Sequence, residues 1–156
     1  MNYNKPSRLL KNLPNKLNNF YKKNSKFAFK VSNKSKNKKD FDPVTNLDRA
    51  FEKYIRSLIH KSFPNDSIIG EEFEDKNSEN DYTWSIDPID GTRAFVIGAP
   101  TWSNLIGLSF KNKSLLGLAN FPELDKYYMQ NNSITFDLYI IMLTFVKLFY
   151  KSDIKH

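Results

Sequence analysis

The chain has no cysteine in its 156 residues. That excludes disulfide staples and thiolate metal sites and leaves the redox compartment open; a reducing cytoplasm fits and is the expected location. Histidine is almost as scarce: His60 and His156 have no partners at ligand spacing and read as surface residues. Long apolar runs are also missing. The richest stretch, Leu138 to Tyr150, is interrupted by Lys147, and its longest part, Leu138 to Val146, has nine residues. A bilayer span needs about 20, so no membrane span is expected. The opening residues are Lys- and Asn-rich, without the apolar core of a secretion signal.

Acid is absent from the first 39 residues, which hold twelve Lys or Arg. The remainder carries a net charge of −5, so the overall +7 misleads as an average. A basic head suggests nucleic acid or an anionic surface. Here it has few aromatics and no known reading motif. No nucleic-acid partner is expected; the lysines instead favour a small phosphorylated substrate. A chain of this length buries about 68–70% of its unfolded surface, enough for one core.

Periodicity organises the rest. Apolar residues in 8–22 recur near helical spacing, and Pro14 breaks them, which predicts a helix from about Asn15 to Lys23. Residues 26–31 alternate as a short strand or helix end, and 32–40 read as polar loop. Leu47, Phe51, Tyr54, Ile55, Leu58 and Ile59 form an amphipathic stripe, predicting a helix from Thr45-Asn46 to about Phe63. Pro64-Asn65-Asp66 stops it. Ser67 to Gly70 and Tyr82 to Asp87 read as strands, with an acidic surface loop over 74–81 between them. Trp102 to Lys111 and Ser114 to Phe121 read as a hairpin turning at Asn112-Lys113.

The most informative stretch is Asp87-Pro88-Ile89-Asp90-Gly91-Thr92. Its two aspartates offer hard oxygen ligands, and Gly91-Thr92 adds backbone N–H groups and a hydroxyl at the same turn. Such a pairing suits phosphate chemistry. Alone, D-P and D-G are ordinary turn residues. The reading changes because Gly70-Glu71-Glu72 ends a neighbouring strand, and Val44-Thr45-Asn46-Leu47-Asp48 supplies a further acid.

These three segments, in this order, resemble the V-T-x-x-D, G-E-E and D-P-I-D-G-T motifs of the inositol monophosphatase family. The continuation from Arg93 to Trp102 looks most like its histidinol-phosphatase branch. The resemblance divides the chain into a basic head (1–37), a metal- and phosphate-binding part (38–128) and a divergent apolar tail (129–156). It implies an α+β, layered α/β fold: the first half of that family's architecture, with helices on a mostly antiparallel sheet.

It also implies Mg²⁺-dependent hydrolysis of a phosphate monoester, histidinol phosphate first. The alternatives within the family are inositol phosphate and 3′-phosphoadenosine phosphate. By resemblance, Glu71, Asp87, Asp90 and the carbonyl of Ile89 hold Mg²⁺, while Asp48 and Thr92 orient and deprotonate the attacking water. Glu71, Ile89, Asp90, Gly91 and Thr92 line the phosphate site. The competing reading of Asp48 is a solvated acid beside Arg49, and Arg93 either faces substrate or pairs with a surface acid.

One departure stands out. The family's second half, with its W-D motif, has no counterpart after Tyr128: the tryptophans, Trp84 and Trp102, are each followed by serine. A truncated or frameshifted descendant is the expectation. The competing reading is a non-catalytic or self-associating protein, a homodimer joined through the tail.

Overall fold

The computed structural model describes residues 4–25, 30–33 and 43–131. The first helix, α1 (Asn4–Asn24), runs through Pro14. This corrects the expected break, which placed a helix only after the proline. Proline removes one ladder bond and costs about 3 kcal/mol in a helix interior. The burial of Leu10, Leu13 and Leu17, all at 0% exposure, offsets that at about 1.5–3 kcal/mol each, and Pro14 itself is buried among them.

Two short strands follow, β1 (Val31–Asn33) and β2 (Pro43–Thr45), paired antiparallel with Val31 opposite Thr45. Strand β1 thus includes Val31 from the first assignment, and Ser32-Asn33 belong to a strand, not a loop. The rest of both assignments, 26–29 and 34–40, lies outside the described residues. So do His156 and the run from Leu138 to Tyr150.

Helix α2 (Asn46–Ser62) agrees with the apolar stripe: Leu47, Phe51, Ile55 and Ile59 face the core. Its N-cap is Thr45, whose hydroxyl accepts from the N–H groups of Leu47 and Asp48. Asp48 answers by accepting from the Thr45 N–H at 2.8 Å, which completes a capping box.

Five strands form the main sheet: β3 (Ser67–Gly70), β4 (Tyr82–Asp90), β5 (Ser103–Phe110), β6 (Lys113–Phe121) and β7 (Lys126–Asn131), in that spatial order. Only β3 and β4 run parallel. This is the layered, mostly antiparallel architecture expected. Strand β4 extends through Pro88, with its register to β5 shifting between Asp87 and Asp90. The β5–β6 hairpin turns at Lys111 and Asn112, with φ of 49° and 61°, the two left-handed residues of a I′ turn. That is one residue earlier than expected. Strand β7 had no sequence expectation.

The two faces of the sheet differ. Trp84, Ile86, Ile106, Leu108, Leu116 and Leu118 are buried in one core with α1 and α2. Trp102 anchors it, 5.0 Å from the Tyr21 ring and 6.1 Å from Phe51. The opposite face is an open groove of about 870 Å³ along Ile69, Leu105, Gly107, Ala119 and Phe121. Ile69 and Tyr128 there are 47% and 61% exposed. No helix among the described residues is long and apolar enough to cross a membrane.

Candidate functional site

The site assembles at one end of the sheet, where β3 and the parallel β4 both terminate. Glu71 follows β3 directly. Asp87 and Asp90 lie at the end of β4, where its register to β5 shifts. Gly91 then takes φ 83°, a conformation that costs a Cβ-bearing residue about 1–2 kcal/mol. It opens α3 (Thr92–Val96). Asp48 reaches the same place from the first turn of α2.

Asp48 is 2% exposed, so the solvated-acid reading fails. Its Oδ2 accepts from the Thr45 N–H and from the Thr45 hydroxyl, at 2.8 and 2.5 Å. The other oxygen, Oδ1, lies 3.5 Å from Thr92 Oγ1. The Thr92 hydroxyl is also 3.0 Å from the Ile89 carbonyl. Thr92 thus joins the α2 acid to the β4 turn, and the Ile89 carbonyl already takes part in holding that turn.

Asp87 is the electrostatic centre. Burial, then the charges of Glu71, Asp90 and Asp48, push its carboxyl up to about 7. Asp87 therefore feels the charge of each of the other three acids. Its Oδ1 is buried without a hydrogen-bond partner. A buried, orphaned carboxylate oxygen beside other carboxylates suits a hard cation, which takes oxygen ligands and cancels the repulsion. Among the described residues no three acidic side chains converge as a ready-made cage. Glu71 and Asp90 sit at the surface, and Asp90 Oδ2 accepts from Ser103 Oγ at 3.2 Å.

Arg93 is exposed. The side chain of Glu72 reaches Arg49, 3.8 Å away. His60 is exposed, with Nδ1 3.5 Å from Lys76 Nζ.

Sequence reasoning missed the supports. Asn104 donates to the Pro88 carbonyl at 2.6 Å, inside the aspartate turn. Asn120 donates to both Asn104 and Asn18 at 2.9 Å, and Asn18 donates to Asp125 at 2.9 Å. This amide chain, with Asn104 and Asn120 at 0% exposure, ties α1 and the sheet to the turn. Isolated asparagines in apolar strands were its only sequence signal. Glu52, at 0% exposure, was missed because a helical Glu ordinarily reads as a solvated residue.

Comparison with known proteins gives the family and the fold. Residues 9–135 match the inositol monophosphatase family. A histidinol-phosphatase of Chlorobaculum parvum is 45% identical over 91 residues, covering 58% of this chain and 35% of that protein. The chloroplastic bifunctional phosphatase IMPL2 of Arabidopsis thaliana is 39% identical over 97 residues, covering 61% and 28%. A solved IMPase/NADP phosphatase, complexed with Mg²⁺ and phosphate, superposes with TM-score 0.71 at 19% identity, over 82% of this chain and 48% of that one. That likeness establishes the fold alone. The chain spans about a third of the curated relatives' length and about half of the solved chain's. With the family match covering most of its length, the chain belongs to the inositol monophosphatase family.

Proposed function

We propose that the chain carries the metal- and phosphate-binding half of a Mg²⁺-dependent phosphomonoesterase, with histidinol phosphate the favoured substrate. The observation that carries this reading is the orphaned Oδ1 of Asp87 among Glu71, Asp90 and Asp48. In the proposal Glu71, Asp87, Asp90 and the Ile89 carbonyl hold the cation. Bound Mg²⁺ lowers the pKa of a coordinated water and neutralises charge on the phosphate.

The chain's own residues do the rest. Asp48, its Oδ2 occupied by Thr45, keeps Oδ1 directed at Thr92. The Thr92 hydroxyl passes its proton toward that oxygen as it takes one from the attacking water. The backbone N–H groups of Gly91 and Thr92 orient phosphate oxygens, and Gly91 lets the backbone approach. The histidinol-phosphatase relative supports that substrate, and the stretch from Arg93 favours it over inositol phosphate and 3′-phosphoadenosine phosphate. The protein is proposed to act in the cytoplasm.

A panel of these three substrates tests the assignment. Mg²⁺-dependent phosphate release fastest from histidinol phosphate, and lost in Asp90→Asn, is the expected result. Equal release from all three removes the substrate assignment, and release retained in Asp90→Asn removes the metal assignment.

A second reading rests on the open sheet face. An exposed apolar groove marks an association surface or a ligand groove, and the first of these favours a self-associating, non-catalytic protein. Saturable Mg²⁺ binding without turnover, in a concentration-dependent dimer, is its signature.

A further inference from the structure

Asp48 and Glu52 sit four residues apart on one face of α2. The first points at Thr92. The second, fully buried, points beneath the turn that carries Glu71. Glu52 Oε1 accepts from Arg56 Nε at 2.8 Å, and Glu52 Oε2 accepts the backbone N–H of Glu72 at 2.7 Å. Arg56 Nη2 also donates to the Phe73 carbonyl at 3.2 Å. The pair thus grips the chain on the C-terminal side of Glu71.

Gly70 closes the grip from the other side. A Cβ at Gly70 would lie 2.1 Å from Glu52 Oε1 and 2.9 Å from Arg56 Nη2. Its φ is unremarkable, so the glycine is there for space, not for backbone freedom. Glycine at 70 and the part-buried ion pair are one device: the strand end passes directly over the buried carboxylate, and Glu71 leaves it in a fixed direction.

We infer that Glu52, held by Arg56, is a positioning residue that sets the Gly70-Glu71-Glu72 turn and so aims Glu71 beside Asp87. The inference rests on the metal reading proposed above. A buried ion pair is weak support for stability taken alone, since desolvation cancels much of its attraction. A directional role, in which one carboxylate takes a backbone N–H and a guanidinium at once, accounts for its placement. Outer-shell partners of this kind alter cation affinity by about 10–100-fold when removed.

The test uses the full chain and five variants: Glu52→Ala, Glu52→Gln, Gly70→Ala, Gly70→Ala combined with Glu52→Asp, and Asp87→Asn. Mg²⁺ affinity is read by calorimetry, and hydrogen exchange of the Glu72 amide by NMR in the absence of metal. Glu52→Ala is expected to weaken Mg²⁺ binding about tenfold or more and to speed exchange at Glu72. Glu52→Gln keeps an acceptor for that amide and recovers part of both. Gly70→Ala, on an intact α2, reproduces the loss, and adding the shorter Glu52→Asp to it restores part of the affinity.

A lowered Tm with Mg²⁺ affinity within about twofold of wild type overturns the inference, because a merely stabilising pair behaves so. Asp87→Asn separates the two levels. If it abolishes Mg²⁺ binding while Glu52→Ala does not, the positioning role alone is wrong. If it leaves binding intact, the metal reading fails and the positioning role falls with it.

Discussion

Thr92 Oγ1 lies 3.5 Å from Asp48 Oδ1, although 44 residues separate them in sequence. The contact depends on a third residue. Thr45 takes up Asp48 Oδ2 and leaves Oδ1 turned to Thr92, so one capping box both starts α2 and orients its acid. Thr45→Ala is therefore expected to cost about 1 kcal/mol of stability and to lower turnover by more than its stability loss explains. Thr45→Ser keeps both. Urea melts beside phosphate release on the same samples separate the two effects.

The Asp87 carboxyl, at about 7 in the fold against an ordinary 3.8, sets a pH dependence. Between those values the folded chain keeps a proton that the unfolded chain has released. Stability of the metal-free protein therefore falls as pH rises through that window and levels off above it. Mg²⁺ competes with the same proton, so its affinity rises over the same interval. Urea midpoints across pH should show this slope, and Asp87→Asn should flatten it.

Asn104 holds the Pro88 carbonyl from inside the core. Asn104→Leu removes the donor and leaves both that carbonyl and Asn120 short of a partner, at about 1–3 kcal/mol for such buried groups. The expected result is a lower Tm with a larger fall in Mg²⁺ affinity than the surface change Lys113→Ala produces.

The exposed face of the sheet offers Ile69 and Tyr128 to solvent. A hydrophobic dye should bind it saturably, and Phe121→Lys with Tyr128→Lys should reduce that fluorescence without moving the Mg²⁺ affinity.

Much of this was legible because local and tertiary signals agree. The stripe from Leu47 to Ile59 faces the core as its spacing required. The same Thr45-to-Asp48 spacing that marks the motif also satisfies the capping box. Pro14 misled because its local penalty is outweighed by burial that only the tertiary fold reveals. Glu52 and Asn104 were illegible for the opposite reason: their types signal exposure, and only their neighbours make them interior. Strand β7, with Tyr127 and Tyr128 side by side, lacks the alternation that announces a strand.

The most direct test is Mg²⁺ titration by calorimetry at a pH above the Asp87 value, on wild type, Asp87→Asn and Asp90→Asn. Saturable binding in the wild type, weakened at least tenfold in both variants while their folds persist, is the predicted result. Equal heats in all three proteins would contradict the assignment of this turn as the cation site.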